Sequence, residues 1–234
     1  MLYKGFRITD YMPTGLLLVL FTDEDQPREK RLAACIALGT KDDGPSYDAL
    51  LAGLQHEDWH IRYVSLEAIK RHARVSDAEA AIIQCLFDVN DQVRQTACKV
   101  CAELGFTGAH DAILQLLETA SRDVRDVALG ALSRMWREGD FDRVYQIFMR
   151  EEERSVRIAA AKVLRAHAGA DNWRRLFRAW HDDREVRHRM WSCELVGRFG
   201  GRSERAHLEA LRGDPNRNVR QAAERARALL ADRV

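Results

Sequence analysis

Proline, cysteine and long apolar runs are all scarce in this sequence. Its 234 residues include 4 prolines, and the abundant Ala, Leu, Arg and Glu are good helix formers. An odd count of 5 cysteines without regular spacing argues against a disulfide-bonded secreted scaffold. The apolar run Leu16–Phe21 is too short for a membrane span or a signal peptide. We therefore expect a helical protein of the cytoplasm that does not enter a membrane.

The charge of the chain is nearly balanced, with a formal net charge of +1. Residues 171–234 contain 15 Arg against 10 Asp or Glu, a net of +5, so the remainder carries −4. The net charge creates no strong electrostatic field that would attract a nucleic acid or a membrane surface. The basic C-terminal third supports only a local hypothesis of nucleic-acid binding.

A short phrase recurs along the chain. It places a cap residue first, a β-branched residue three positions later, Arg directly after it, and a small residue three positions further, as in Asn90–Ala97. The marking arginines are Arg31, in a degraded first copy, and then Arg62, Arg94, Arg125, Arg157, Arg187 and Arg220. Their spacings of 31, 32, 31, 32, 30 and 33 indicate an internal repeat.

Each repeat contains two helical patterns separated by a short turn. Apolar residues precede the arginine at helical spacing, as in Leu50, Leu51 and Leu54. A single helical hairpin cannot bury its apolar face, but stacked hairpins can. The sequence therefore predicts an all-α protein, a right-handed α-solenoid of about seven two-helix repeats. We expect one domain over residues 1–234, with a cap segment at 1–12 and repeats near 13–44, 45–76, 77–107, 108–138, 139–169, 170–201 and 202–234.

The repeat resembles the short HEAT-like repeat of phycobilisome-lyase-type proteins, whose core is D-x-x-V-R-x-x-A. The resemblance covers nearly the whole chain and is specific for fold rather than for function. Proteins of this construction include bilin lyases, iron-dependent deoxyhypusine hydroxylases, adaptors, chaperones and inhibitors, and related repeats form alkylated-DNA glycosylases. The resemblance implies that the second helix of each repeat lines a concave face where partners bind.

The repeated arginines have two interpretations. They could form a phosphate-binding ladder, or they could pair with cap acids and carbonyl groups of neighbouring repeats. Because even the degenerate copies keep the arginine, we favour the structural role.

Two further motifs suggest metal or redox chemistry, but the first is better explained as a chance match and the second as core packing. His56–His60 spells H-E-x-x-H, which binds zinc only on a continuous helix. The repeat register places Asp58 at a helix start, between the two histidines. Cys98 and Cys101 fall at positions that are apolar in other repeats, where a free cysteine acts as a small core residue. We predict no catalytic residue, no cofactor and no metal.

The stripe Trp173, Phe177 and Trp180 is interleaved with arginines, a combination that could stack bases and hold phosphates. A count from Arg187 places these aromatics outward, but this repeat is one residue short. A deletion in the turn between its two helices would bury Leu176, Phe177 and Trp180. It would leave an outward basic row, consisting of Arg174, Arg178 and His181.

The concave face is predicted from positions one and five after each arginine. The candidate partner-binding residues are Tyr63, Glu67, Gln95, Lys99, Lys162, His188, Ser192 and Arg225. A phosphate track carries one sign of charge, whereas this set carries both. The set therefore fits a protein partner better than a nucleic acid.

Three functions follow in order of preference. The first is a non-enzymatic protein-binding scaffold, such as an adaptor, inhibitor or assembly factor. The second is a nucleic-acid-binding or DNA-repair protein that uses the basic C-terminal repeats, and the third is a bilin-lyase-type protein. Whether the apolar segment Met1–Pro13 caps the first repeat or docks onto a partner is left open by the sequence.

Overall fold

The computed structural model describes the backbone of residues 2–3 and 6–231 and the side chains of residues 8–231. The apolar side chains expected to cap the first repeat fall partly before residue 8, outside this range. Two short strands open the described chain, β1 (Leu2–Tyr3) and β2 (Phe6–Arg7), paired antiparallel. The sequence analysis did not predict them, because two residues are too few to show strand periodicity. Met12, further along this segment, is buried.

The described residues form fourteen α-helices in seven consecutive pairs, as the repeat predicts. The chain divides into two compact units, Met1–Arg137 and Glu138–Val234. The helices of the first unit are α1 (Thr14–Thr22), α2 (Arg28–Leu38), α3 (Gly44–Gly53), α4 (Trp59–Ile69), α5 (Glu79–Gln84), α6 (Asp91–Leu104), α7 (His110–Thr119) and α8 (Arg122–Arg134). Those of the second are α9 (Asp140–Arg150), α10 (Arg154–Ala166), α11 (Trp173–Trp180), α12 (Val186–Phe199), α13 (Arg205–Arg212) and α14 (Arg217–Ala231). That residues 1–234 form a single domain stays a prediction.

Cap residues begin the second helices where the phrase predicts. The Asn90 side chain accepts hydrogen bonds from the backbone N–H groups of Gln92 and Val93, at 2.9 and 3.4 Å, and so starts α6. Asp58 does the same for α4 through the N–H of His60. Gly105 ends α6 with φ of +70°, a conformation that costs glycine little. The local sequence thus fixes the ends of these helices.

Small residues on the second helices allow close stacking. Ser65, Ala97 and Ala128, each three positions after the repeat arginine, are fully buried. In the first unit α2, α4, α6 and α8 pack side by side, and each first helix packs against the second helix of its own repeat. In the second unit α12 packs against α14. Among the described residues no helix combines the length and apolarity that a membrane span requires.

Candidate interaction face on the second helices

The repeated arginines bind groups within the protein. Arg62 donates from Nε and Nη2 to the two carboxylate oxygens of Asp88, at 2.6 and 2.7 Å, and from Nη1 to the His56 carbonyl oxygen at 2.8 Å. Arg157 donates to both carboxylate oxygens of Asp183. Each pair joins a second helix to the turn that precedes the second helix of the next repeat. Arg62 and Arg157 therefore have the structural role that the sequence predicts.

The carboxylates of these pairs remain ionised although they are nearly enclosed. Burial by itself would raise the pKa of Asp88, but hydrogen bonds from Arg62 and from the Asn90 backbone N–H outweigh burial and lower the pKa below its ordinary value. The pKa of Asp183 is lowered in the same way, against burial, by Arg157 and the Glu185 N–H. Each buried guanidinium thus has a buried counter-charge.

In the sixth repeat the structural arginine is Arg189 rather than Arg187. Arg189 donates from Nε to the Asp214 carboxylate at 2.7 Å and from Nη1 to the Asp183 carbonyl oxygen at 2.7 Å. This matches the pattern of Arg62, while Arg187 is exposed. With Arg189 in the series, the spacings 30 and 33 become 32 and 31. The register counted from Arg187 was wrong, and no deletion in this repeat is needed.

This correction moves two predicted face residues into the interior. His188 takes the place that Ile61 has in the second repeat, and its side chain is fully buried. Ser192 takes the place of the small residue Ser65 and is also fully buried. Both therefore lie in the packing layer rather than on an exposed face. Their places one and five after the arginine belong to Met190 and Glu194, which are half-buried.

His188 lies in a cluster of aromatic rings. Its ring centroid is 5.4 Å from Phe148, 5.8 Å from Trp180 and 5.6 Å from Trp191. Its Nδ1 is 3.3 Å from Asp183 Oδ2, yet neither ring nitrogen has a well-formed hydrogen bond within the described structure. Burial lowers the pKa of His188, and the nearby Asp183 opposes that shift without cancelling it.

In the first unit the remaining predicted residues line the second-helix face, defined as positions one and five after the repeat arginine. Tyr63, Glu67 and Gln95 are half-buried, and Lys99 is exposed. Glu67 is held by Lys70, whose Nζ lies 2.9 Å from its carboxylate. The face therefore offers both charges together with an aromatic hydroxyl.

A groove of about 280 Å³ opens on this face between α6 and α8. Gly130 stands five positions after Arg125, where α4 and α6 carry Glu67 and Lys99, so the groove is not covered at that point. A Cβ added at Gly130 would meet nothing within 4 Å. The residues lining the groove are Lys99, Ala102, Glu103, Val127, Gly130, Ala131 and Arg134. Its small apolar floor and charged rim are suited to a side chain of a partner.

In the second unit two ion pairs join α10 to the start and the middle of α12. Arg154 donates to Glu185 at 2.5 and 2.9 Å, and Arg165 donates to Glu194 at 2.9 and 3.2 Å. The predicted face residue Lys162, between the two arginines on α10, is exposed. Arg225, on α14, is exposed as well, and partner binding by either residue stays a prediction.

The predicted outward row lies on first helix α11 and the residue that follows it, not on a second helix. Arg174 and Arg178 are exposed and His181 is half-buried against Phe177, with ring centroids 5.3 Å apart. The Arg174 guanidinium is 3.6 Å from the Glu204 carboxylate. The stripe residues Trp173, Phe177 and Trp180 are buried, and so is Leu176. Binding by this row stays a prediction.

Local structure accounts for the H-E-x-x-H string and for the cysteine pair. Helix α4 begins at Trp59, so His56 lies before the helix and His60 lies within it. His56 Nδ1 accepts from the Asp58 N–H at 2.9 Å, and His60 Nδ1 lies 2.9 Å from the Asp58 carboxylate. Cys98 and Cys101 are fully buried, and burial raises the pKa of each thiol to about 12. A helix start therefore divides the H-E-x-x-H string, and the two cysteines lie in the core, both as predicted.

Comparison with solved structures gives the class of fold. Over 98% of this chain and all of the other, the chain is similar to a structure of the CpcE–CpcF complex of phycocyanin lyase from Nostoc sp., at 18% identity and a TM-score of 0.53. It is also similar to Kap95p bound to RanGDP, at 12% identity and a TM-score of 0.64, over 94% of this chain and 35% of Kap95p. At these identities the likeness concerns the fold alone. The predicted all-α solenoid of two-helix repeats is confirmed.

The sequence itself shows the type of repeat. Residues 141–228 match the family of HEAT repeats. Among curated proteins, no sequence matches this chain. Residues 141–228 thus carry the type of repeat that the arginine phrase predicts.

Proposed function

We propose that this protein is a non-enzymatic protein-binding scaffold that binds its partner along the second-helix face. The observation that carries the proposal is the groove between α6 and α8, because an apolar floor with a rim of both charges suits a protein side chain. Arg62, Arg157 and Arg189 are not available for an external partner, since each binds the neighbouring repeat. The cytoplasmic location also stays a prediction.

The similar solenoids support a binding role. One of them is in complex with RanGDP and another is a complex of two chains, so this fold is used for contacts between proteins. A lyase activity is not proposed for this chain, because the likeness to the phycocyanin lyase concerns the fold alone.

Site-specific crosslinking tests the proposal. A photoreactive amino acid at Lys99, on the groove, is compared with one at Gln115, an exposed position on first helix α7. We expect one protein to crosslink in stoichiometric amount from position 99 and not from position 115. The purified partner should then bind the Gly130→Glu variant at least about tenfold more weakly, because the new side chain occupies the groove.

Two results would contradict the proposal. Equal crosslinking from both positions would mean that the second-helix face is not selective. Crosslinks that disappear after nuclease treatment would instead identify a nucleic-acid-binding protein, the second candidate function.

A further inference from the structure

The second unit carries a basic face that is distinct from the groove of the first unit. Arg154, Ile158, Lys162 and Arg165 follow one another on α10 at helical spacing i, i+4, i+8 and i+11. On α12, Arg187, Trp191, Glu194 and Arg198 follow at i, i+4, i+7 and i+11. Residues at these spacings share one side of a helix. The two rows are joined by the Arg154–Glu185 and Arg165–Glu194 ion pairs, and together they define the basic face.

The carboxylates of this face are neutralised, whereas three of its cations are not. Glu194 is held by Arg165, and Glu185, at the start of α12, is held by Arg154. Lys162, Arg187 and Arg198 are exposed and form no ion pair with any residue that the structure describes. The face therefore presents a net positive charge to a partner.

The middle of the face is apolar. Trp191 is half-buried, with the Arg165 guanidinium 5.2 Å and the Arg187 guanidinium 6.0 Å from its ring centroid. Ile158 and Met190, half-buried, lie on the same two helices. An aromatic anchor flanked by arginines within a charged rim is the composition of a protein-binding hot spot.

We propose that this basic face binds an acidic protein segment that also carries apolar side chains. Carboxylates of the segment would pair with Lys162, Arg187 and Arg198, and its apolar groups would cover Trp191. The inference rests on the proposed function and adds the chemistry of the partner. The face is about 17 Å long, from the rise of an α-helix over twelve residues, which an extended segment of about five or six residues spans.

A nucleic acid fits this face less well. Three uncompensated cations release few counterions, so a phosphate backbone would bind weakly. Glu194, already paired with Arg165, interrupts the row on α12 and offers a phosphate no cation there. A peptide can instead place an uncharged residue there.

Fluorescence anisotropy with defined probes tests the inference. The probe is a dye-labelled peptide of about eight residues composed of Asp, Glu, Leu and Phe, long enough for the face. It is compared with a peptide in which Lys replaces the acids, with one in which Ser replaces the apolar residues, and with a single-stranded oligonucleotide of equal charge. We expect the acidic apolar peptide to bind with a Kd below about 1 mM and every other probe to bind at least about tenfold more weakly.

Charge-reversal variants locate the binding. Lys162→Glu and Arg198→Glu should each weaken binding of the acidic peptide about tenfold and reduce its salt dependence. Arg178→Glu is the matched control, since Arg178 is exposed on α11, away from the second helices, and it should leave binding unchanged. Trp191→Ala should also weaken binding about tenfold, and the two exposed-site variants keep the test valid if that variant does not fold.

Three outcomes would overturn the inference. They are no binding of the acidic peptide up to about 1 mM, an equal loss in Arg178→Glu, or tighter binding of the oligonucleotide. The proposed function is tested separately, by crosslinking at Lys99 in the first unit. Crosslinking of a partner at Lys99 without peptide binding to the basic face would therefore contradict this inference and leave the proposed function standing.

Discussion

His188 occupies a position that Ile or Val fills in other repeats, as at Ile61, Val93 and Val156. An imidazole is accommodated there because Phe148, Trp180 and Trp191 surround it with rings. The ring is enclosed without well-formed hydrogen bonds, so its charged form is disfavoured. The charged groups near it are Asp183, Glu185 and Arg157.

Stability should fall as the solution becomes mildly acidic. The folded-state pKa of His188 is lowered from 6.5, so the contribution of the neutral ring to the free energy of unfolding is complete above pH 6.5. It is lost as the pH falls through the folded pKa, because the unfolded chain binds the proton first. Between pH 7.5 and 5.5, the free energy of unfolding measured with denaturant should fall less steeply for His188→Val than for the native chain. A His207→Val control, at an exposed position on α13, should keep the native slope; a slope unchanged in His188→Val would refute the prediction.

Removing only one partner of the Arg62–Asp88 pair should lower the stability of the protein. Both side chains are nearly buried, at 12% and 8% exposure, so Arg62→Met leaves a buried carboxylate without its counter-charge. We expect the free energy of unfolding to drop by about 3 kcal/mol, with part of it restored by adding Asp88→Asn. Arg28→Met removes a pair in which Arg28 is 55% exposed and should cost less than about 1 kcal/mol in the same urea titration. Equal losses would show that burial does not decide the cost.

At the scale of single helices, glycines differ by what surrounds them. Gly130 on α8 has open space at its Cβ position, whereas a Cβ at Gly53 on α3 would run into Ser65 Oγ and Phe21. Gly130→Ala should therefore stabilise the protein by about 0.5–1 kcal/mol through helix propensity. Gly53→Ala should destabilise it, because the packing of α3 on α4 must shift. Thermal unfolding of both variants measures this, and a stabilised Gly53→Ala would contradict the geometry.

The helices themselves could be predicted because caps, apolar spacing and small residues agree in each repeat. The register of α12 could not, because Val186-Arg187 imitates the phrase two residues early while the buried position before Arg189 holds a polar His188. The regular spacings of 32 and 31 from Arg189 were the available signal. The basic face was missed for the same reason: it depends on this register and on ion pairs between helices, which sequence spacing does not show.

At the scale of the whole molecule, the pairs Arg62–Asp88, Arg157–Asp183 and Arg189–Asp214 each connect a repeat to the next one along the chain. Stability in such a chain is a sum of terms for repeats and for adjacent contacts. Loss of the Arg189–Asp214 pair should therefore loosen the last repeat and leave distant repeats unchanged.

Hydrogen exchange can measure this locality. In Arg189→Met, amides of α13 and α14 should exchange faster while those of α4 and α6 keep their native rates. Arg165→Met, which removes the more exposed pair with Glu194, should change the α14 rates far less. Faster exchange throughout the chain would mean that the protein opens as one cooperative body instead.

The same pairs bear on how a chain of this kind can change length over generations. Such a junction takes one guanidinium from the second helix of one repeat and one acceptor from the turn of the next, as with Arg157 and Asp183. A duplicated or deleted segment cut once per period would bring its own half of each junction. Gene duplication could then lengthen or shorten such a protein in whole repeats without leaving an unmatched charge at the seam.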